Sequence, residues 1–373
     1  MAALFYYLII GRLNMRYFFT PAMNAGDILI IQHYGYCFFN PAGWYPKPDK
    51  LPIRIGFVCL SDSGGYQLYS RNKDYENGNG SRRCIVIPGV GIKTRKNCLI
   101  IDPIDLCRKY GELGIDYGFT LDYPLSDNAS EEEYEINLLK SYEWAKLMIG
   151  LRDDLCPTTK LLIPLHYCTE QQLRHYFNTM SKLNPDGYAI PVRDTSTWED
   201  MVRIAYALCF LQHKRVKIVH MFGSSRREII ILGAAASGLG MFQQLSFDST
   251  SWNTAIYVLQ YLDSKTLGLH PVHDIKKVKL NLPESLIEEL QSTVIDPALK
   301  KKLILLHNVI ATSDHANAML KRAKDIETLK RFIENTPHLS IQRRRLLASI
   351  GILHTSMKRG FPYIEKWFGW IWN

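Results

Sequence analysis

The stretch KLLIPLHYCTEQQLRHYFNTMSKLNPDGYAIPV, residues 160–192, decides the fold class. Two short apolar runs, 160–166 and 187–192, flank a segment in which apolar residues recur with the helical spacing near 3.6. Both runs are apolar on both faces, as parallel strands are when helices cover the sheet on each side. The stretch therefore predicts a strand–helix–strand unit of a parallel sheet.

The same alternation recurs along most of the chain. Strand-like runs lie at 27–33, 53–60, 83–89, 98–102, 116–122, 160–166, 187–192, 216–223 and 243–248, and the N-terminal run 4–10 also reads as a strand. Helical segments lie between the later runs, and each begins near a Ser, Thr or Asp that is able to cap it. About eight strands in this alternation favour a (β/α)8 TIM-like barrel over an open sheet.

The pattern changes near residue 283, which separates two predicted regions. Residues 1–282 form the predicted catalytic barrel, with a polar, glycine-rich insertion at 69–83 that we expect to be a loop or hairpin. Residues 283–373 are dominated by helical patterns and form a region that we expect to pack on or beside the barrel. Its last residues, 361–373, are rich in aromatic side chains that pack on the barrel or on a second subunit, so a homodimer is one expectation.

Composition indicates a reduced protein with an anionic partner. The formal charge of +9 favours nucleic acid as that partner, and a basic surface without a polyanion is the alternative. The eight cysteines form no CxxC pair, and several lie in apolar runs, as reduced core thiols of cytoplasmic proteins do. The run 4–10 is too short to span a bilayer and lacks the organisation of a signal peptide, so we expect no membrane association.

Three aspartates follow apolar runs at predicted strand ends: Asp62, Asp122 and Asp248. In a barrel of this kind the chemistry lies at the carboxyl ends of the strands, so we expect the three to meet around one mouth. A single aspartate in this position often caps a helix, but three on one rim indicate function. One carboxylate can attack an electrophilic sugar carbon while a second transfers a proton to or from the departing group.

Three short motifs extend this interpretation. DSGGYQ (62–67), FTLDYP (119–124) and SFDST (246–250) resemble, in the same order, motifs of the tRNA-guanine transglycosylase superfamily. The resemblance implies a (β/α)8 barrel that exchanges guanine in a nucleic acid for a 7-deazaguanine base. DSGGYQ is the most specific of the three matches.

The resemblance also implies a role for each motif residue. Asp248 would be the nucleophile that attacks C1′, Asp62 the general acid or base, and Asp122 the group that hydrogen-bonds the guanine edge. Tyr66 would stack on the base, while Gly64 and Gly65 allow its close approach, although a tight turn is the alternative reading of the glycine pair. The implied base-binding set is Asp122, Tyr66, Ser63, Gly64, Gly65, Gln67 and His166.

The chain departs from the tRNA-modifying members of that superfamily. Those members carry a CxCxxC zinc motif with a later His after the nucleophile strand, whereas here no cysteine follows Cys209, and we expect no metal and no cofactor. The glutamine that helps bind the base is replaced in PLH (164–166), and SWNTA (251–255) replaces a basic segment. These losses favour the divergent branch that acts on DNA in bacteria and phages, with a free base such as 7-cyano-7-deazaguanine as second substrate.

Other readings of the same residues stay open. A divergent zinc-free tRNA-guanine transglycosylase is the first, and a non-catalytic nucleic-acid-binding relative is the second. An unrelated barrel glycosidase is a third, which the basic charge disfavours.

A phosphate-binding segment is predicted at FGSSRRE, 222–228. It ends a strand and begins a helix near the end of the barrel, where backbone N–H groups and a helix N-terminus commonly hold phosphate. The predicted contacts are Ser224, Ser225, Arg226 and Arg227. The alternative is an ordinary helix cap with solvated arginines.

Overall fold

A computed structural model describes the protein at residues 15–19, 36–39, 58–63, 84–87, 91–94, 100–123, 125, 129–192, 197–222, 226–249, 260–263, 265–273, 284, 288 and 297–368. The chain divides into two compact units. The first holds the described residues up to Cys37 and those from Val192 onward, and the second holds the described residues from Phe38 to Pro191.

Strands and helices alternate through much of the described chain. The strands are β1 (Met15–Phe19), β2 (Tyr36–Phe39), β3 (Cys59–Ser61), β4 (Cys84–Ile87), β5 (Gly91–Thr94), β6 (Ile100–Ile101), β7 (Tyr117–Phe119), β8 (Lys160–Pro164), β9 (Gly187–Pro191), β10 (Ile218–Phe222), β11 (Gln244–Ser249), β12 (Gln260–Leu262) and β13 (Leu269–Pro271). The α-helices are α1 (Pro103–Glu112), α2 (Glu131–Leu155), α3 (Glu170–Met180), α4 (Trp198–His213), α5 (Arg227–Gly238), α6 (Pro297–Ala323), α7 (Ile326–Asn335), α8 (Arg343–Arg359) and α9 (Phe361–Phe368).

Each unit contains a run of parallel strands. In the second unit the order is β3, β7, β8, β9, and every neighbouring pair is parallel. In the first unit β1 pairs in parallel with both β2 and β11, and β11 pairs in parallel with β10. Helices α2 and α3 connect successive parallel strands of the second unit and α5 connects those of the first, because parallel neighbours need a crossover. The predicted mixed α/β class is confirmed, and the arrangement is consistent with a TIM-like fold.

The predicted helix starts are confirmed at three positions. The side-chain oxygen of the capping residue accepts a hydrogen bond from the backbone N–H three residues later in each case. The side chain at that later position accepts a hydrogen bond from the backbone N–H of the capping residue, which is Ser130, Thr169 or Thr197. This reciprocal pattern, a capping box, satisfies donors that the first helical turn leaves unpaired. It fixes where α2, α3 and α4 begin after the strand ends.

The runs 83–89 and 98–102 were predicted as members of the strand–helix alternation, and that prediction is wrong. Strands β4, β5 and β6 instead form a separate antiparallel sheet, with Cys84 opposite Thr94 and Ile92 opposite Ile101. Only three residues separate β4 from β5, which is enough for a hairpin but too short for a parallel crossover. Strands β1 and β2 were not predicted. The predicted strands at 4–10 and 27–33 and the insertion at 69–83 lie outside the described residues.

The helices α6 to α9 pack against the helices of the first unit. Helix α8 lies along α4, and α6 lies along α5. At α9, Phe361 is buried with its ring 5.2 Å from that of Tyr206, whereas Trp367 is 54% exposed. In the described part of the chain no helix combines the length and the apolar character needed to cross a membrane.

Two adjacent residues of α6 hold the hairpin formed by β12 and β13. The Nε2 of His307 donates to the carbonyl oxygen of Leu262 at 2.8 Å, and the Oδ1 of Asn308 accepts from the Leu262 N–H at 2.7 Å. Both side chains are fully buried. Because buried backbone groups must be paired, this contact fixes the hairpin against α6.

Gly238, at the end of α5, is a site where added volume is expected to destabilise the first unit. A Cβ there would collide with the backbone carbonyl of Ala323 at the end of α6, and a backbone group cannot rotate away. We expect Gly238→Ala to lower the free energy of unfolding by about 1–3 kcal/mol. The control is Gly351→Ala in α8, where nothing lies within 4 Å, and here we expect an increase of about 0.5–1 kcal/mol. Urea unfolding followed by circular dichroism measures the free energy of unfolding of both variants. Changes of the same sign in the two variants would contradict the packing of Gly238 against Ala323.

Candidate active site

Asp122, just beyond β7, accepts hydrogen bonds from the ends of both neighbouring strands. The hydroxyl of Ser63 donates to its Oδ1 at 2.5 Å, and the Nε2 of His166 lies 2.7 Å from its Oδ2. All three side chains are buried. Because β3, β7 and β8 are adjacent and parallel, their carboxyl ends bring these residues to one edge of the sheet. The structure thus joins three of the residues that the sequence assigned to base binding.

His166 keeps a second ring nitrogen for a further contact. Its Nδ1 is buried and has no hydrogen-bond partner within the described ranges. When Nε2–H donates to Asp122, Nδ1 carries a lone pair and acts as an acceptor. A buried acceptor without a partner is unfavourable, so a donor on a ligand would stabilise it.

Tyr110 of α1 ties together the strand ends that carry Asp62 and Asp122. Its buried hydroxyl donates to the carbonyl oxygen of Phe119 at 2.8 Å and lies 3.3 Å from that of Asp62. Its ring lies against Gly118, where a Cβ would collide with it. Burial, and then the nearby Asp62 carboxylate, raise the pKa of Tyr110 well above its ordinary value, so the hydroxyl stays a donor.

Asp62 itself is half-buried and directly follows β3. It precedes Ser63, whose hydroxyl is bonded to Asp122, so its backbone is held at the same strand edge. The rest of the motif, Gly64, Gly65, Tyr66 and Gln67, lies outside the described residues, and the roles assigned to it stay predictions.

Asp248, near the end of β11, belongs to a buried polar chain in the first unit. The Nε2 of His220 lies 3.1 Å from its Oδ1, and the Nδ1 of His220 lies 2.9 Å from the hydroxyl of Ser246. Ser246 and Asp248 are two residues apart on one strand and so face the same side, and His220 on β10 is the cross-strand partner of Ser246. His220 and Ser246 are fully buried, whereas Asp248 keeps 7% exposure. Of these three hydrogen-bonded residues, Asp248 is therefore the one able to contact a substrate.

The polar chain sets the tautomer of His220. A carboxylate only accepts, so Nε2 carries the proton and donates to Asp248, while Nδ1 accepts from the Ser246 hydroxyl. This assignment satisfies both ring nitrogens of a fully buried imidazole. It also orients the Asp248 carboxylate.

The same device occurs in each unit. A strand-end aspartate receives a hydrogen bond from the Nε2 of a histidine on the adjacent parallel strand, His166 for Asp122 and His220 for Asp248. The histidine orients the carboxylate in each case, and both carboxylates are buried. Chemically, such groups are suited to accept donors from a base edge or to attack a carbon centre.

The segment 222–228 is described in part. Arg226 is the exposed N-cap residue of α5 and makes no side-chain capping bond, and the Nη1 of Arg227 lies 3.4 Å from the carbonyl oxygen of Thr266. Ser224 and Ser225 lie outside the described residues, so their phosphate contacts stay predictions. Within those described, no group of three or more His, Cys, Asp or Glu side chains is arranged to hold a metal ion.

Comparison with known proteins gives one distant relative. A tRNA-guanine(15) transglycosylase from Methanococcus aeolicus is 24% identical over 243 residues, which is 61% of this chain and 35% of the relative. This similarity supports the tRNA-guanine transglycosylase superfamily. The chain therefore spans about a third of the length of that curated relative. No protein-family model matches the chain.

Sequence reasoning missed the partners that hold the aspartates. His220 is fully buried and bonded to Asp248, a contact that the sequence did not predict, and Ser246 and Tyr110 were assigned no role. The available signal was the spacing of Ser246 and Asp248, two residues apart on one strand with a histidine near the end of the preceding strand. That signal becomes specific only when the strand register is known.

Proposed function

We propose that the protein is a base-exchange transglycosylase that replaces guanine in DNA with a 7-deazaguanine derivative. The observation that carries the proposal is the buried, oriented carboxylate of Asp248, held by His220 at a strand end. The motif DSGGYQ (62–67) and the distant tRNA-guanine(15) transglycosylase support a glycosyltransferase that acts on nucleic acid. A full (β/α)8 barrel is part of the proposal, supported by the parallel strands and connecting helices of each unit.

The reaction is a double displacement at C1′. A carboxylate oxygen of Asp248 bonds to C1′ as the bond from C1′ to N9 of guanine breaks, and the base leaves with that electron pair. Asp62 donates a proton to the departing guanine. It then takes a proton from the incoming 7-deazaguanine base, whose N9 attacks C1′ and releases Asp248. Positioned proton transfer of this kind contributes about 10²–10⁴ in rate.

Asp122, Ser63 and His166 are proposed to bind the base. Both carboxylate oxygens of Asp122 already accept a bond, and each keeps a lone pair for an N–H donor of the guanine edge. The Nδ1 of His166 is proposed to accept a further hydrogen bond from the base, at the position where the tRNA-guanine transglycosylase superfamily uses a glutamine. A free 7-deazaguanine base is the proposed second substrate.

DNA is proposed over tRNA because this sequence lacks two segments that tRNA-guanine transglycosylases have, the cysteine motif and a basic segment. No cysteine follows Cys209, and SWNTA (251–255) stands in place of a basic segment. A guanine in duplex DNA must be flipped out, which costs a few kcal/mol that phosphate contacts can offset. The distant relative, a tRNA-guanine(15) transglycosylase, favours a second candidate, a zinc-free tRNA-guanine transglycosylase.

Exchange of labelled guanine tests the proposal. The full chain is incubated with labelled guanine and either duplex DNA or tRNA, and the label in the recovered polymer is counted. Label in DNA is the expected result, and label only in tRNA would establish the second candidate. No label in either polymer, from protein that still binds nucleic acid, would leave a non-catalytic binding protein.

His220 is expected to act as a positioning residue for Asp248. His220→Leu removes the donor that orients the carboxylate, so we expect kcat for exchange to fall by about 10–100-fold with KM within about twofold. His220→Gln keeps an amide donor and is expected to recover part of the loss. Steady-state kinetics of both variants, with thermal unfolding to confirm folding, measure the effect. Equal loss in the two folded variants, or a change confined to KM, would contradict the assignment.

A further inference from the structure

A cavity of about 510 Å³ lies within the first unit. It lies between the start of α5, the turn between β12 and β13, helix α6 and the start of α8, and it is open to solvent on one side. Its lining residues include Arg226, Arg227, Leu269, Thr312, Ile341 and Arg345. Helix α5 follows β10, and β10 runs parallel to β11, so α5 begins at the sheet edge toward which Asp248 lies. The cavity is thus on the reactive side of this unit.

Positive charge dominates the cavity wall. Its charged lining residues are three arginines, Arg226, Arg227 and Arg345, and one carboxylate, Glu228. Arg345 and Glu228 are 3.3 Å apart and largely buried, Arg227 is half-buried and Arg226 is exposed. Burial first, and then Arg227 and neighbouring cations, lower the pKa of His315 to about 4. His315 lies one turn after Thr312, which lines the cavity, so the Arg227 guanidinium acts on a buried group beside it.

Arg227 contacts the turn between β12 and β13 at the cavity. The carbonyl oxygen of Thr266 lies 3.4 Å from its Nη1, and the Thr266 N–H donates to Asp263 Oδ1 at 2.7 Å. The N–H of Gly268 donates to the Thr266 hydroxyl at 3.0 Å. A guanidinium held in this way is pre-organised for a phosphate oxygen.

Exposed apolar side chains lie at the rim of the same cavity. Ile341 is 84% exposed and Leu269 is 52% exposed, and both line it beside the arginines. Apolar surface next to guanidinium groups matches a ligand that has an anionic part and a flat or apolar part. A nucleotide has this composition, with a phosphate and a base on one sugar.

We propose that this cavity binds one nucleotide unit of the nucleic-acid chain next to the exchanged guanine. Arg226 and Arg227 contact its phosphate, and Ile341 and Leu269 pack against its sugar or base. The inference rests on the proposed function for the identity of the polymer. It adds a nucleic-acid contact formed by the helices after residue 297, beyond the arginines predicted from the sequence.

Binding of a fluorescent single-stranded 12-mer of DNA to the full chain tests the cavity by anisotropy. The double variant Arg226→Gln, Arg227→Gln is expected to bind about tenfold more weakly, with the slope of log K against log salt reduced by about 1. Ile341→Ser, which changes an exposed side chain, is expected to weaken binding by about threefold to fivefold. The matched control is Arg344→Gln, an exposed arginine of α8 that does not line the cavity, with an expected change below about twofold.

The outcomes separate this inference from the proposed function. Unchanged oligonucleotide affinity in the double variant and in Ile341→Ser, or an equal loss in Arg344→Gln, would overturn the cavity assignment even if guanine exchange is observed. The expected losses in a protein that exchanges guanine into no polymer would support the cavity and end the proposed function. Displacement of the 12-mer by dGMP at similar concentrations would show that a free nucleotide is the ligand and would overturn the assignment to the polymer.

Discussion

Asp248→Asn is expected to abolish guanine exchange, with a rate at least about a thousandfold below that of the unmodified protein. An amide has the size of the carboxylate but is a poor nucleophile, so the covalent bond to C1′ should not form. The Asn side chain still has an oxygen that accepts the hydrogen bond from His220, now 3.1 Å from Oδ1. Folding and nucleic-acid affinity should therefore stay within about twofold.

Two measurements check this result. Incorporation of labelled guanine gives the rate, and denaturing electrophoresis of enzyme mixed with DNA detects the covalent complex, which should be present for the unmodified protein and missing for the variant. Asp153→Asn, a change of the same chemistry at a side chain that is 85% exposed, is the control and should exchange normally. Full activity in folded Asp248→Asn would remove the nucleophile assignment.

Asp122→Asn is expected to lower kcat/KM for the free base by about 10²–10³-fold. The amide presents an NH₂ group where the carboxylate offered an acceptor, so one donor on the guanine edge loses its partner. Ser63 and His166, which both donate to Asp122, must also compete for the single remaining oxygen. The loss should fall mainly on KM for the base, because the nucleophile is untouched.

Titration of guanine concentration in the exchange assay separates this variant from the previous one. Asp122→Asn should regain much of its rate at high base concentration, whereas Asp248→Asn should not. Asp153→Asn again serves as the control. An unchanged KM for the base in folded Asp122→Asn would exclude Asp122 from base recognition.

Local patterns predicted much of the fold and part of the candidate site. The helices that begin after Ser130, Thr169 and Thr197 follow from capping chemistry, which involves residues only three positions apart. The runs 83–89 and 98–102 were mispredicted because a short apolar run has the same appearance in a parallel and in an antiparallel sheet. Connection length, rather than composition, distinguishes the two.

The sequence by itself determined the α/β class, the starts of α2, α3 and α4 and the carboxylates at positions 62, 122 and 248, because periodicity and capping act between near neighbours. Only the tertiary structure decided which groups hold those carboxylates. His166 is 44 residues from Asp122, and His220 is 28 residues from Asp248. Such pairs meet only when adjacent parallel strands align in one register, and a one-residue shift of that register would turn either side chain to the opposite face.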